Sequence, residues 1–294
     1  MSNPAFTSHF ISAPDGLTLH LRSFGDEAST LTPVVCLPGL ARTGGDFDVL
    51  AAHLSTGGRR VVALDYRGRG LSQWDTDPSH YDIATENADI LAVLAATGIE
   101  QAIFIGTSRG GMHTMVLSAT RPHLIKAAVL NDIGPVLESS GLARIKGYIG
   151  KLPQPRGWAD AVDMFQRLAG AHFSALSAAD WETFARLTFV EKDGRLVAQY
   201  DPALAKNLAR IDLSVPIPDL WPQFEGLRHV PLLVLRGGNS DLLSAQTLAE
   251  MARRHPRCET LTVPGQGHAP MLLDMASVMR IADFVETWGE PALT

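Results

Sequence analysis

Four near-continuous apolar runs constrain this chain more than any other feature: Val34-Val35-Cys36-Leu37, Val61-Val62-Ala63-Leu64, Ala102-Ile103-Phe104-Ile105 and Ala127-Ala128-Val129-Leu130. A strand with one wet face alternates apolar and polar residues, whereas a strand that is apolar throughout must be covered on both faces. That is the pattern of a mostly parallel sheet with helices on both faces. Between the second and third runs, Ile83, Ile90, Leu91 and Leu94 recur at spacings compatible with one helix face, and Gly98 supplies a stop. Two further runs, Leu232-Leu233-Val234-Leu235 and Thr260-Leu261-Thr262-Val263, flank a helix-like segment over residues 244–254. The chain closes with Val278, Ile281, Val285 and Trp288 on one helical stripe. Near the start, Leu17, Leu19 and Leu21 alternate with Thr18, His20 and Arg22 after the turn pair Asp15-Gly16, which reads as an antiparallel hairpin.

The β-α series is interrupted once. From residue 136 to 223 the buried-strand signal disappears, and helix-like segments follow at residues 138–148, 158–171 and 179–190, broken by Pro153, Pro155 and Pro202. A structureless loop of that length is improbable inside a domain. The expectation is an α/β core domain, built from residues 1–135 and 224–294, with a helical lid at 136–223 inserted after the strand ending near Leu130. The 294 residues, 46% hydrophobic and 19% charged, suffice for such a core.

The net charge is −6 and the positive residues are scattered, so nothing resembles an electrostatic footprint for nucleic acid. Cys36 and Cys258 show neither metal-ligand spacing nor a disulfide framework, and read as thiols in a reducing compartment. The first residues lack a basic and an apolar signal region. The longest apolar run, residues 90–96, is far short of the roughly 18 residues that suggest a membrane span. A cytoplasmic protein is expected, acting on a small molecule, without a membrane or nucleic-acid partner and without a metal or organic cofactor.

The chemistry is concentrated in Gly106-Thr107-Ser108-Arg109-Gly110, a G-x-S-x-G run between a buried strand and a helix-compatible segment. A nucleophile on such a strained turn needs small neighbours two positions away, which Gly106 and Gly110 supply. A serine hydroxyl needs a general base. His268 qualifies, because it lies in the Gly/Pro-rich loop Val263-Pro264-Gly265-Gln266-Gly267-His268 after the last strand. His113, on the helix after the serine, reads as a residue that packs or faces solvent. The base in turn needs a carboxylate. Asp241, after the strand ending at Leu235, is favoured because the order Ser108, Asp241, His268 suits this strand arrangement. Asp132, directly after the Ala127–Leu130 run, is its rival. Oxyanion donors would be the backbone N–H groups of Arg109 and of Leu40, the latter in the loop Leu37-Pro38-Gly39-Leu40.

With these residues in view, the chain resembles the α/β-hydrolase superfamily, in particular its lidded, esterase-like members. Asp65-Tyr66-Arg67-Gly68-Arg69-Gly70-Leu71-Ser72 is similar to the family's D-x-R-G-x-G-x-S turn, and the resemblance implies a loop-shaping role for Asp65 and Arg67. One departure is Pro38-Gly39, where many relatives have His-Gly. Serine at position 108 argues against the haloalkane dehalogenase-like and epoxide hydrolase-like branches, which use Asp.

The expected reaction is hydrolysis of a carboxylic ester through an acyl-enzyme. Alternatives are a C–C bond hydrolase or lactonase with the same triad, and more distantly a cofactor-independent oxygenase or a non-turnover ligand receptor. Arg42 and Arg109 adjoin the proposed oxyanion donors, and either guanidinium is a candidate for binding a substrate carboxylate, although solvation or pairing with protein Asp or Glu is the better reading for both. Trp158, Phe165, Phe173, Trp181, Phe184 and Phe189 line an acyl pocket or form the lid's own core, the second being the better reading.

Overall fold

The computed structural model describes residues 6–290. An N-terminal hairpin, β1 (Thr7–Ser12) and β2 (Thr18–Phe24), turns at Asp15-Gly16, and Gly16 takes the left-handed φ of +86°. The series then alternates: β3 (Val34–Leu37), α1 (Asp48–Leu54), β4 (Val61–Asp65), α2 (Ile83–Ala96), β5 (Ala102–Thr107), α3 (Arg109–Thr120) and β6 (Ile125–Asn131). After β6 the chain leaves the sheet through α4 (Ser139–Tyr148), α5 (Trp158–Ala169), α6 (Ala178–Thr188), β7 (Phe189–Lys192), β8 (Arg195–Ala198), α7 (Leu204–Ala209) and α8 (Trp221–Glu225). It returns as β9 (Leu232–Gly237), α9 (Ala245–Arg254), β10 (Cys258–Val263) and α10 (Met275–Trp288).

Eight strands form one sheet in the order β1-β2-β4-β3-β5-β6-β9-β10. β1 and β2 pair antiparallel, β2 joins β4 antiparallel, and the six strands from β4 to β10 run parallel. The apolar runs are buried on both faces, as read from the sequence. Val35, Leu37 and Phe104 pack with Ile90 and Val93 of α2, Met115 of α3 and Met251 of α9. Val34, Cys36, Ile103 and Ile105 pack on the other side with Leu50 of α1 and Ile281 and Phe284 of α10. Each fully buried Val, Leu, Ile or Phe contributes about 1.5–3 kcal/mol relative to exposure, so the sheet centre dominates the stability of the core. Cys36 lies within it as a free thiol, and burial pushes its pKa up.

Two local readings differ from the sequence expectation. His20, placed by alternation on a polar face, is wholly buried, with its Nδ1 2.8 Å from Asp65 Oδ2. The stretch after α6 also holds a two-stranded hairpin, β7–β8, where only helix was read. Its signal was present: Asp193-Gly194 lies between Phe-Val-Glu-Lys and Arg-Leu-Val-Ala, and both turn residues adopt positive φ (+51° and +71°), the geometry such a pair favours.

The excursion between β6 and β9 has a small core of its own, including Met164, Phe165, Trp181, Ala185, Phe189 and Leu196. Phe165 meets Phe184 edge-on at 4.6 Å, so these aromatics pack on one another. The excursion touches the sheet domain at loops that follow the carboxyl ends of strands. Gly70 N–H donates to Gln199 O (2.8 Å), Asp201 N–H to Gly68 O (2.8 Å) and Ala175 N–H to Gly265 O (3.1 Å). It therefore sits over the edge where, in open parallel sheets, ligands are bound.

Candidate active site

The elbow between β5 and α3 is built by close backbone approach. A Cβ on Gly106 would lie 2.4 Å from the Gly110 carbonyl carbon, and one on Gly110 would lie 2.0 Å from Leu37 O. Only glycine fits either place. Ser108 between them takes φ +51° and ψ −111°, a strained conformation for a residue with a side chain. Its N–H is held by Asn131 O at 3.0 Å. The turn thus projects the hydroxyl from the carboxyl end of the sheet at the N-terminus of α3.

Ser108 Oγ lies 2.9 Å from His268 Nε2, and His268 Nδ1 lies 2.8 Å from Asp132 Oδ2. The Asp132 carboxylate is wholly buried and also accepts from Gly237 N–H (2.6 Å, on Oδ1) and from Ser240 Oγ–H (2.6 Å, on Oδ2). A carboxylate only accepts, so the imidazole carries its hydrogen on Nδ1 and leaves Nε2 free to accept from the serine hydroxyl. This is the arrangement needed to raise the nucleophilicity of Ser108.

Asp241 is not part of the relay. Both its oxygens are taken by Arg144 of α4, from Nε at 2.6 Å and Nη2 at 2.7 Å, and its carbonyl accepts from Ser140 Oγ–H. Burial pushes its carboxyl up, and the Arg144 guanidinium more than reverses this, leaving it below the usual carboxylate range. The reason lies in the strand order. Asp132 is the first residue after β6, the direct neighbour of the elbow strand, and its N–H is fixed by Leu235 O at 2.8 Å. Asp241 is four residues beyond the end of β9, one strand further out, and the loop carries it to the excursion instead. The acid loop expected from the sequence still serves the site, through Gly237 and Ser240. No sequence signal singled out Ser240.

The two proposed oxyanion donors belong to different elements. Arg109 N–H is at the first position of α3, where a helix has no internal acceptor for it. Leu40 lies in the turn after β3, closed by Arg42 N–H to Gly39 O at 3.2 Å. The Leu40 carbonyl is gripped by Arg69 Nε at 2.8 Å.

Neither arginine proposed for a substrate carboxylate is free. Arg42 binds both oxygens of Asp46 (2.8 and 2.6 Å), donates to Thr188 Oγ1 (2.6 Å) and stacks 4.7 Å from the Phe184 ring. Arg109 donates to Glu86 Oε2 (2.5 Å) and to Tyr81 O (3.1 Å). A guanidinium already in a two-point pair with protein has little to gain from a second anion. His113 is wholly buried between Glu86 and Asn87, which decides between its two expected placements in favour of packing.

The motif residues shape loops. Asp65 accepts from Gly44 N–H (2.7 Å), Leu71 N–H (3.1 Å) and His20. Arg67 binds Asp89 through two hydrogen bonds of 2.6 Å, and its Nη1 reaches Asp15 (2.9 Å) and Asp75 (2.6 Å). Asp15, Asp75 and His80 offer ligand atoms within 4.8 Å of one another, but the arginine already supplies their positive charge. Among the described residues no helix is long and apolar enough to cross a membrane.

The chain belongs to the alpha/beta hydrolase fold family, whose model matches residues 32–274. It is 33% identical to a 3-hydroxybutyrate-oligomer hydrolase of Cupriavidus necator over 274 residues, covering 90% of this chain and 92% of that one. It is 29% identical to the sn-1-specific diacylglycerol lipase ABHD11 of Mus musculus, covering 83% and 77%. The crystal structure of an alpha/beta hydrolase from Novosphingobium aromaticivorans superposes with a TM-score of 0.90 at 39% identity, over 97% of this chain and 99% of that one. These relatives are hydrolases, and hydrolysis is the general class of this chain.

Proposed function

We propose that the chain is a serine hydrolase of carboxylic esters, working through an acyl-enzyme on Ser108. The observation that carries this is the continuous relay Ser108 Oγ, His268 Nε2, His268 Nδ1, Asp132 Oδ2, with both links below 3 Å. Ser108 Oγ attacks the ester carbonyl carbon while its proton passes to His268 Nε2. The carbonyl oxygen becomes an oxyanion and is met by the N–H groups of Leu40 and Arg109; each such donor is worth about 3 kcal/mol in the transition state. The carbon–oxygen bond to the alcohol then breaks, and His268 returns the proton to the leaving alkoxide. Water, deprotonated by His268, attacks the acyl carbon, and Ser108 leaves with its proton restored. Asp132 holds the imidazole in the required tautomer and stabilises the imidazolium.

Residues 136–223 act in this reading as a lid that admits a small substrate to the elbow. The similarity to the 3-hydroxybutyrate-oligomer hydrolase makes short, soluble hydroxyacyl esters the first substrates to try. The test is a panel of chromogenic acetyl and butyryl esters, 3-hydroxybutyrate oligomers, lactones, thioesters and vinylogous diketones, each with wild type and Ser108→Ala. Ester turnover with a pre-steady-state burst, lost in Ser108→Ala, is the expected result. Full activity in Ser108→Ala on the best substrate would overturn the reading, and turnover confined to diketones would move it to carbon–carbon cleavage.

A further inference from the structure

Glu86, on α2, is wholly buried, and removing a carboxylate from water costs several kcal/mol unless its partners are well placed. Three partners converge on it. Arg69 Nη1 donates to Oε1 at 2.7 Å, Arg109 Nε to Oε2 at 2.5 Å, and His113 Nε2 lies 3.0 Å from Oε2. Burial pushes the Glu86 carboxyl up, but Arg109, Arg69 and His113 together hold it far below the usual carboxylate range, so it stays ionised. Well-packed apolar residues in place of the whole charged group would stabilise the core about as well, so stability alone does not account for it. What the charge gains is visible at the far ends of its partners.

Arg69 is also wholly buried, and its planar fork spans three groups: Nη1 on Glu86 and on Arg67 O (2.6 Å), and Nε on the carbonyl of Leu40, at 2.8 Å. Arg109 carries on its own backbone the other N–H assigned to the oxyanion. Tyr81 O fixes the second edge of its guanidinium. One carboxylate therefore ties together two loops far apart in sequence, after β3 and after β5. We infer that Glu86 is a positioning residue: through Arg69 and Arg109 it sets the separation of the Leu40 and Arg109 N–H groups. This rests on the serine-hydrolase reading above and adds to it a residue that touches neither substrate nor triad. Donors aimed at charge that exists only in the transition state contribute to kcat and little to ground-state binding.

The test compares wild type with Glu86→Gln, which keeps the shape but offers one acceptor to two arginines, and with Arg69→Lys, which keeps a positive charge but cannot span Leu40 and Glu86. In each folded variant, burst amplitude reports intact Ser108 sites, and a boronic acid that forms a tetrahedral adduct reports the oxyanion donors. The expected result is a fall in kcat of about tenfold or more with KM within about threefold, an equal loss of boronate affinity, and an unchanged burst amplitude. The pH profile keeps its wild-type shape, because Glu86 does not titrate in the working range. Unchanged kcat and boronate affinity in Glu86→Gln overturn the inference; if that variant does not fold, Arg69→Lys decides by the same readings. Ser108→Ala, run alongside, separates the failures. Its retained activity would remove the serine reading itself, whereas its inactivity beside an undiminished Glu86→Gln overturns this inference alone.

Discussion

His268 and Asp132 are joined by a 2.8 Å contact between Nδ1 and Oδ2, and that carboxylate has come from the strand beside the elbow strand. Asp132 enters its loop at a positive φ (+56°), with its N–H on Leu235 O. Backbone, Ser240 and Gly237 therefore hold the acid from three sides, while Asp241 faces away into an ion pair.

Arg144 and Asp241 join the excursion to the sheet domain through two charge-assisted hydrogen bonds at a partly buried place. Removing one partner leaves the other unpaired. Arg144→Met is expected to lower stability by about 1–3 kcal/mol in urea melts at pH 7, with a smaller effect on kcat than any relay variant. Asp241 is held below its ordinary value of 3.8, so its contribution is complete above that value and is lost as pH falls through the folded pKa. The difference between Arg144→Met and wild type should shrink as melts move from pH 7 toward pH 3. An undiminished difference there would contradict the assignment.

His255 is buried with both ring nitrogens committed: Nε2–H donates to Leu227 O (2.8 Å), and Nδ1 accepts from Arg257 N–H (3.1 Å). Burial lowers its pKa below 6.5, and a second ring proton would have no acceptor. Its stabilising effect is present above the unfolded value near 6.5 and is lost as pH falls through the folded value. Wild type should therefore lose melting temperature between pH 7.5 and 5.5 more steeply than His255→Gln. Equal slopes would show that His255 does not resist protonation.

Gly110 allows the elbow to approach β3. Gly110→Ala would drive a Cβ to within 2.0 Å of Leu37 O, backbone that cannot step aside, whereas a Cβ at Gly57 meets nothing within 4 Å. Gly110→Ala is expected to cost several kcal/mol or abolish the burst, and Gly57→Ala to stay within about 0.5 kcal/mol of wild type. Thermal melts and burst amplitudes on the two variants check this; a wild-type burst in Gly110→Ala would contradict the elbow geometry.

The sheet was legible in the sequence because strands covered on both faces leave no room for polar residues, so Val34–Leu37 and its counterparts stand out. Ser108 and His268 were legible because strained turns and Gly-rich loops are rare settings for reactive side chains. The acid was not, since Asp132 and Asp241 both follow buried strands and only the path of the loops decides which reaches the imidazole. The particular partners of Arg42 and Arg109 were not legible either, for a related reason: a guanidinium near a site shows its partner only in three dimensions. The buried charges of α2 were overlooked, although Glu86, Asn87 and Asp89 share the inward face with Ile90, Val93 and Leu94. Carboxylates on an apolar stripe of that kind signal paired cations.

The most direct measurement is a comparison of kcat for Asp132→Asn and Asp241→Asn on the best ester, with Ser108→Ala as the zero. Asn at 132 keeps the shape but no longer fixes the tautomer of His268. A fall of about 10³-fold or more is expected in Asp132→Asn and no more than a few-fold change in Asp241→Asn. A large loss in Asp241→Asn with near-normal turnover in Asp132→Asn would contradict it.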